Sequence, residues 1–195
     1  MTTTSKLSWS FLFTAALFFS SAMIIAAPPR PRTIKKLSRP GEPVSIIAVR
    51  VKGKAVEFGK AFPDRNDWPG RLTFVIKNTS ARRISWARVA LIFSKKEGGS
   101  TLHDFATYGI GRWDIDKIRG GGPPLKPGDT AEVSYSPEQY QSIREILDGM
   151  GYPQSIAQIE VNVDQVIFED QPELMWIEGT MNEFHSPNGW RPVKP

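Results

Sequence analysis

The acids and histidines are where chemistry would be sought first. Asp114 and Asp116, in "WDIDK", share one face if the chain is extended there. Two carboxylates are what a glycosidase uses as acid and base or nucleophile; without a pocket that desolvates one of them, such a pair is surface charge. Asp164, Glu169, Asp170 and Glu173 gather around a predicted last hairpin. Oxygen-rich turns can hold Ca2+, but this spacing matches no calcium loop, and acids on turns and edges also discourage pairing between sheets. His103 and His185 are the only histidines, and His103-Asp104 could supply two members of a Ser-His-Asp triad. No Gly-x-Ser-x-Gly elbow accompanies them, and "GIGRWD" lacks the strand-to-helix setting of a dinucleotide fingerprint. The chain has no cysteine, which excludes disulfides, thiolate metal sites and a Cys nucleophile. These residues predict no catalytic group, no metal and no cofactor, with a carboxylate-dependent hydrolase of extracellular polymer as the alternative.

The aromatics offer a different chemistry. Trp68, Trp113 and Trp190 lie in stretches flanked by Pro, Gly or Asn, and an exposed indole is a stacking surface for a sugar ring or a partner's side chain. With Tyr108 they form the candidate binding set. The competing expectation is that these rings plug the open ends of a sandwich, each N–H reaching a carbonyl. Trp86 and Trp176 fall within strand-like runs and are expected in the core.

From Val44 onward, short runs of Val, Ile and aromatic residues alternate with Gly, Pro and Asn clusters, a strand pattern. "VSIIAVRV" and "AVEF" read as strands joined by a turn at Lys52-Gly53, and "FGKAFPDRNDWPG" as punctuation. "RLTFVIK" and "ISWARVALIF" are expected to pair as a hairpin across "NTSARR". The second is apolar in both phases, which predicts a central strand with cover on both sides or at one end. Residues 95–125 carry no sustained period and read as a long irregular connection with room for one short strand, the natural place for a binding surface. Ser136 as N-cap, Pro137 behind it, Gln139 three residues on, and Tyr140, Ile143, Ile146 and Leu147 at helical spacing predict one helix, lying on the sandwich as a crossover. In "IAQIEVNVDQVIF" the apolar phase flips after Val163, which predicts a β-bulge near Asp164-Gln165. "ELMWIEG" is the last expected strand, and "HSPNGWRPVKP" a tail. About seven strands and one short helix make the inventory of an all-β, immunoglobulin-like antiparallel β-sandwich.

Ahead of this domain, residues 1–27 have a short start with Lys6, an apolar run and small residues after it, the layout of a secretory signal peptide. The run from Trp9 to Ala27 also approaches the length of a membrane anchor, although five following cations oppose export of the domain under the positive-inside rule. Those cations, Arg30, Arg32, Lys35, Lys36 and Arg39, lie among Pro28, Pro29, Pro31 and Pro40, and residues 28–42 read as an extended, solvated spacer, with contact to an anionic surface as the functional alternative. The net charge of +5 is carried by this end: six of the 25 Lys and Arg precede Gly41, leaving 19 against 20 acids beyond it. A near-neutral domain at 43–195 argues against a nucleic-acid partner.

At "LTFVIKNTSARRISWARVALIF", "PLKPGDTAEVSY" and "VIFEDQPELMWIEG" the chain resembles uncharacterised exported bacterial immunoglobulin-like β-sandwich proteins. In these, two strands around an Asn-Thr/Val-Ser turn precede a Leu-Lys-Pro-Gly turn and an acidic hairpin ending in Met-Trp. Gln171-Pro172-Glu173 stands where that pattern has a tight Asp-Gly turn. The resemblance implies fold and export and carries over no activity or site. The expectation is therefore an exported, periplasmic or extracellular module, possible to anchor through residues 9–27. It binds a protein or glycan of the cell envelope through its middle loop and touches the membrane only through its N-terminal segment.

Overall fold

The computed structural model describes residues 28–94, 101–109, 123–170, 173–185 and 189–193; the expected signal or anchor at 1–27 lies outside them. The described residues form two sheets and one helix, an all-β sandwich. The smaller sheet holds β2 (Val44–Val51), β3 (Lys54–Val56), β5 (Leu72–Asn78) and β8 (Thr130–Tyr135) in the order β3-β2-β5-β8. In the larger sheet, β6 (Ile84–Phe93) pairs with β7 (Leu102–Gly109) on one side and β9 (Gln158–Phe168) on the other. Beyond β9 this sheet forks. The first half of β9 runs parallel to β1 (Arg30–Lys36), which continues to β4 (Phe62–Asp64). The second half pairs with β10 (Leu174–Ile177), followed by β11 (Thr180–His185) and β12 (Gly189–Pro192).

Local chemistry accounts for several of these elements. Lys52 and Gly53 both take positive φ, 52° and 78°, the backbone a tight two-residue hairpin between β2 and β3 requires. Helix α1 (Pro137–Gly149) begins in a capping box: Gln139 N–H donates to Ser136 Oγ at 3.2 Å and Ser136 N–H donates to Gln139 Oε1 at 3.0 Å. It crosses from β8 to β9 and buries Tyr140, Ile143 and Leu147, whereas Ile146, expected on the same stripe, is 50% exposed. The bulge in β9 falls on Asp164: Arg88 faces Gln165 and Val89 faces Val163, so Asp164 is the extra residue. It restores Val166 and Phe168 to the core face after Val163.

Four expectations are overturned. First, β5 and β6 are not a hairpin; they belong to different sheets. Asn78, buried between them, turns the chain across: its Nδ2 donates to the carbonyls of Arg82 (2.7 Å) and Leu125 (2.9 Å), and its Oδ1 accepts from Ser80 N–H and Oγ–H. Second, the one short strand allowed within the expected middle loop is an eight-residue strand, 102–109, paired along β6 from Trp86 to Phe93. Its period is disguised because Asp104 takes an inward position, where the Tyr135 hydroxyl donates to it. Gly109 ends β7 at φ 80°, where a Cβ would lie 2.0 Å from Ser85 O. Third, the last expected strand is followed by β11, the supposed tail contributes β12, and the stretch read as punctuation contributes β4 and a 3-10 turn, Trp68–Arg71.

Fourth, the basic arm is not a spacer. β1 changes partner midway: Arg30–Arg32 pair with β4 and Thr33–Lys36 with β9. Pro31 sits opposite Pro63 on the short outer pairing, a place where a missing N–H disrupts no central ladder. Ile34 is wholly buried and joins the main core, and Arg32 is 1% exposed. The cations assigned to a solvated leader therefore belong to the globule, which is basic rather than neutral.

Candidate ligand surface on the outer face of the larger sheet

The bulge at Asp164 sets up the densest polar feature on the outer face. Turned by the extra residue, its carboxylate grips Arg88 of β6 side-on: Nε lies 3.0 Å from Oδ1 and Nη2 lies 2.7 Å from Oδ2. The guanidinium is in turn 4.2 Å above the Phe105 ring of β7 and 5.9 Å from the Trp86 ring, a cation held by both a carboxylate and aromatic faces. Burial raises the Asp164 carboxyl above its ordinary range; Arg88 opposes that shift and Glu178 adds to it.

Beside this pair lies a second apolar cluster. Trp86, Ile167 and Met175 are 2–4% exposed, and Ile177 and Trp190, both half-buried, pack against them. Trp190 meets Phe184 edge-on with ring centroids 5.3 Å apart. The Trp190 indole N–H is hidden and finds no acceptor among the described residues, and Oδ1 of Asn162, opposite Ala90 on the same face, likewise finds no donor. Two sheets packed face to face need only their inner sides for a core. This outer side is nevertheless aromatic and aliphatic around one pinned cation.

Of the three expected binding residues that are described, Trp190 reaches this surface and Trp68 and Tyr108 do not. Trp68 is wholly buried, packs edge-on against Phe62 at 5.4 Å, and donates its N–H to Ile156 O at 2.8 Å. It is the plug and presents no face to a ligand. Tyr108 is half-buried on the inner side of β7, its hydroxyl donating to Pro123 O, with burial raising its pKa. Trp113, Asp114 and Asp116 lie outside the described residues. Three of the four acids expected on the last hairpin are held by arginines: Asp164 by Arg88, Asp170 by Arg82 at 2.7 Å, and Glu169 by Arg83 at 2.9 Å. Among the described residues, no three His, Asp or Glu converge as metal ligands. His103 and Asp104 take opposite faces of β7, so they do not act on one substrate together.

Sequence reasoning missed Arg88 and Phe105. The available signal was Arg88 itself, a lone charge between Trp86 and Ala90 in a strand otherwise apolar in that phase.

Compared with protein-family models, with curated proteins and with solved structures, the chain shows no match.

Proposed function

We propose that the chain is an exported, non-catalytic binding module of the cell envelope, and that the outer face around Arg88, Phe105 and Trp190 receives an envelope protein or glycan. The observation that carries this reading is a guanidinium fixed by Asp164 over half-buried Phe105, beside the Trp86 cluster against which half-buried Ile177 and Trp190 pack. Rings at this level of exposure, next to a cation whose orientation is already set, make a platform that loses little entropy when a ligand lands. Export rests on the signal-like layout of residues 1–27. The immunoglobulin-like assignment, and with it the resemblance to exported bacterial sandwiches, is supported by β2-β5-β8 pairing in one sheet while β7-β6-β9 pair in the other.

Fractionation of the expressing cell with N-terminal sequencing tests the compartment; recovery only from the cytoplasm, with Met1 intact, refutes export. Co-sedimentation with peptidoglycan sacculi, and crosslinking from a photoreactive residue at position 103, exposed on the same face of β7, test the surface in its glycan and protein forms. Phe105→Ala and Trp190→Ala each lower retention by about tenfold if the face is a binding hot spot. Unchanged retention and crosslinking in both variants remove the reading.

A further inference from the structure

The apolar run in the sequence meets the folded domain with almost no chain between them. Only Pro28 and Pro29 separate Ala27 from Arg30, which is already paired with Asp64. The corner they enter contains an open depression of about 390 Å3 lined by Pro28, Lys52, Arg65, Asn66 and Asp67. A neighbouring depression of about 310 Å3 is mostly apolar, formed by Pro29, Pro31, Ala61, Phe62 and Pro63 around Arg30.

The charges of this corner do not cancel. Lys52 is paired with Asp64 at 2.7 Å and with Asp67 at 3.2 Å, and Arg71 approaches Asp67 at 3.4 Å. Arg30 and Arg65, which line the depressions, and Lys54, two residues from Lys52 across the β2-β3 turn, are exposed and form no ion pair with a described residue. An exposed, unneutralised set of cations around a proline-lined apolar step is suited to a headgroup layer, where the cations meet phosphates and the apolar step meets the interface.

We propose that this corner seats the domain on acidic phospholipid headgroups while the run from Trp9 to Ala27 is in the bilayer. Two residues span at most about 7 Å, less than the Debye length of about 8 Å at physiological salt. With no spacer to hold the domain away, Arg30 stands inside the potential of an acidic surface whenever the run is in the membrane, and docking of the corner brings Lys54 and Arg65 to the same surface. The seat is independent of what binds the outer face, which loss of Phe105 or Trp190 alters and loss of Arg65 does not.

The chain has no cysteine, so single labels report cleanly. The full chain is synthesised into vesicles of phosphatidylethanolamine and phosphatidylglycerol, or of phosphatidylcholine alone, with a fluorophore on Ala61→Cys, in the corner, or on Ala81→Cys, in the turn after β5 at the far end. Doxyl-labelled lipids quench the first label and not the second. This quenching depends on phosphatidylglycerol, is relieved by high salt, and its apparent docking constant falls about fivefold for each of Lys54→Gln and Arg65→Gln. Both variants change exposed side chains, and Arg30→Gln provides a third independent removal. Equal quenching at the two positions, no quenching at Ala61→Cys, or quenching indifferent to lipid charge overturns the proposal.

Discussion

Arg32 and Arg88 are both withdrawn from solvent, and the protein handles them in opposite ways. Arg88 has a carboxylate, two aromatic faces and a side chain still 29% exposed. Arg32 has no carboxylate bonded to it. Its Nε donates to Asp64 O at 3.2 Å, its Nη1 to Ser155 Oγ at 2.7 Å and Ile156 O at 2.8 Å, and its Nη2 to Asn66 Oδ1 at 3.0 Å. Four neutral oxygens from two segments, 64–66 and 155–156, stand in for water, and burial, then Arg30, pull its pKa below the ordinary value against the raising effects of Asp64 and Tyr140. A cation solvated by backbone and amide oxygens positions the segments that supply them. A cation pinned beside half-exposed rings remains presented to the outside. The first serves the fold and the second the surface.

The largest expected effect breaks the first half of that contrast. Arg32→Met leaves the acceptors in the β1, β4 and 155–157 junction without their donor and costs about 3 kcal/mol of stability in urea unfolding, whereas a loss under 1 kcal/mol would make Arg32 a passive passenger. Next, Trp68→Phe removes the other donor to Ile156 O and costs about 1 kcal/mol. Because Arg32 and Trp68 share that carbonyl, the double variant is non-additive by more than the roughly 0.5 kcal/mol of independent sites.

Arg88→Gln sharpens the other half. It costs about 1 kcal/mol, since the pair is partly exposed, yet it lowers retention on the proposed envelope ligand more than Arg32→Met does at a temperature where both are folded. The Asp164 carboxyl adds a pH signature. Its folded pKa is raised from 3.8 by burial, so its stabilising contribution is complete below that ordinary value and is lost as pH rises through the raised one. The Tm of the wild type relative to Asp164→Asn is therefore highest in acid and declines across that window. The smallest effect is a control: Lys35→Gln alters an exposed cation on the same strand as Arg32 and shifts stability by about 0.5 kcal/mol or less.

What could be read from the sequence was whatever is decided locally. Ser136 and Gln139 mark a helix start because both halves of the capping box lie within one turn, and Lys52-Gly53 marks a turn because its backbone demand falls on two adjacent residues. The bulge was legible because one extra residue flips an apolar phase, a change visible along a single strand. The partners of strands were not. Nothing near Asn78 distinguishes a hairpin turn from a step between sheets; that is settled by β8 and β9, which lie far downstream. β1 was misread because prolines and cations describe a solvated arm equally well until Ser155 and Ile156 arrive to solvate Arg32. The proposed ligand surface was half visible: Trp190 was named for its flanking residues, while Phe105 and Arg88 are brought together only by the register of β6 against β7.

The pairing of the first described strand has a consequence in time. β1 lies along β9, and the bond from Arg32 to Ile156 closes a span of 124 positions. A chain emerging from its N-terminus, whether from a ribosome or a translocation channel, cannot complete the larger sheet until its final quarter is out. Loop closure over such a distance delays folding, and on the proposed export route that delay keeps the polypeptide threadable while it passes a channel.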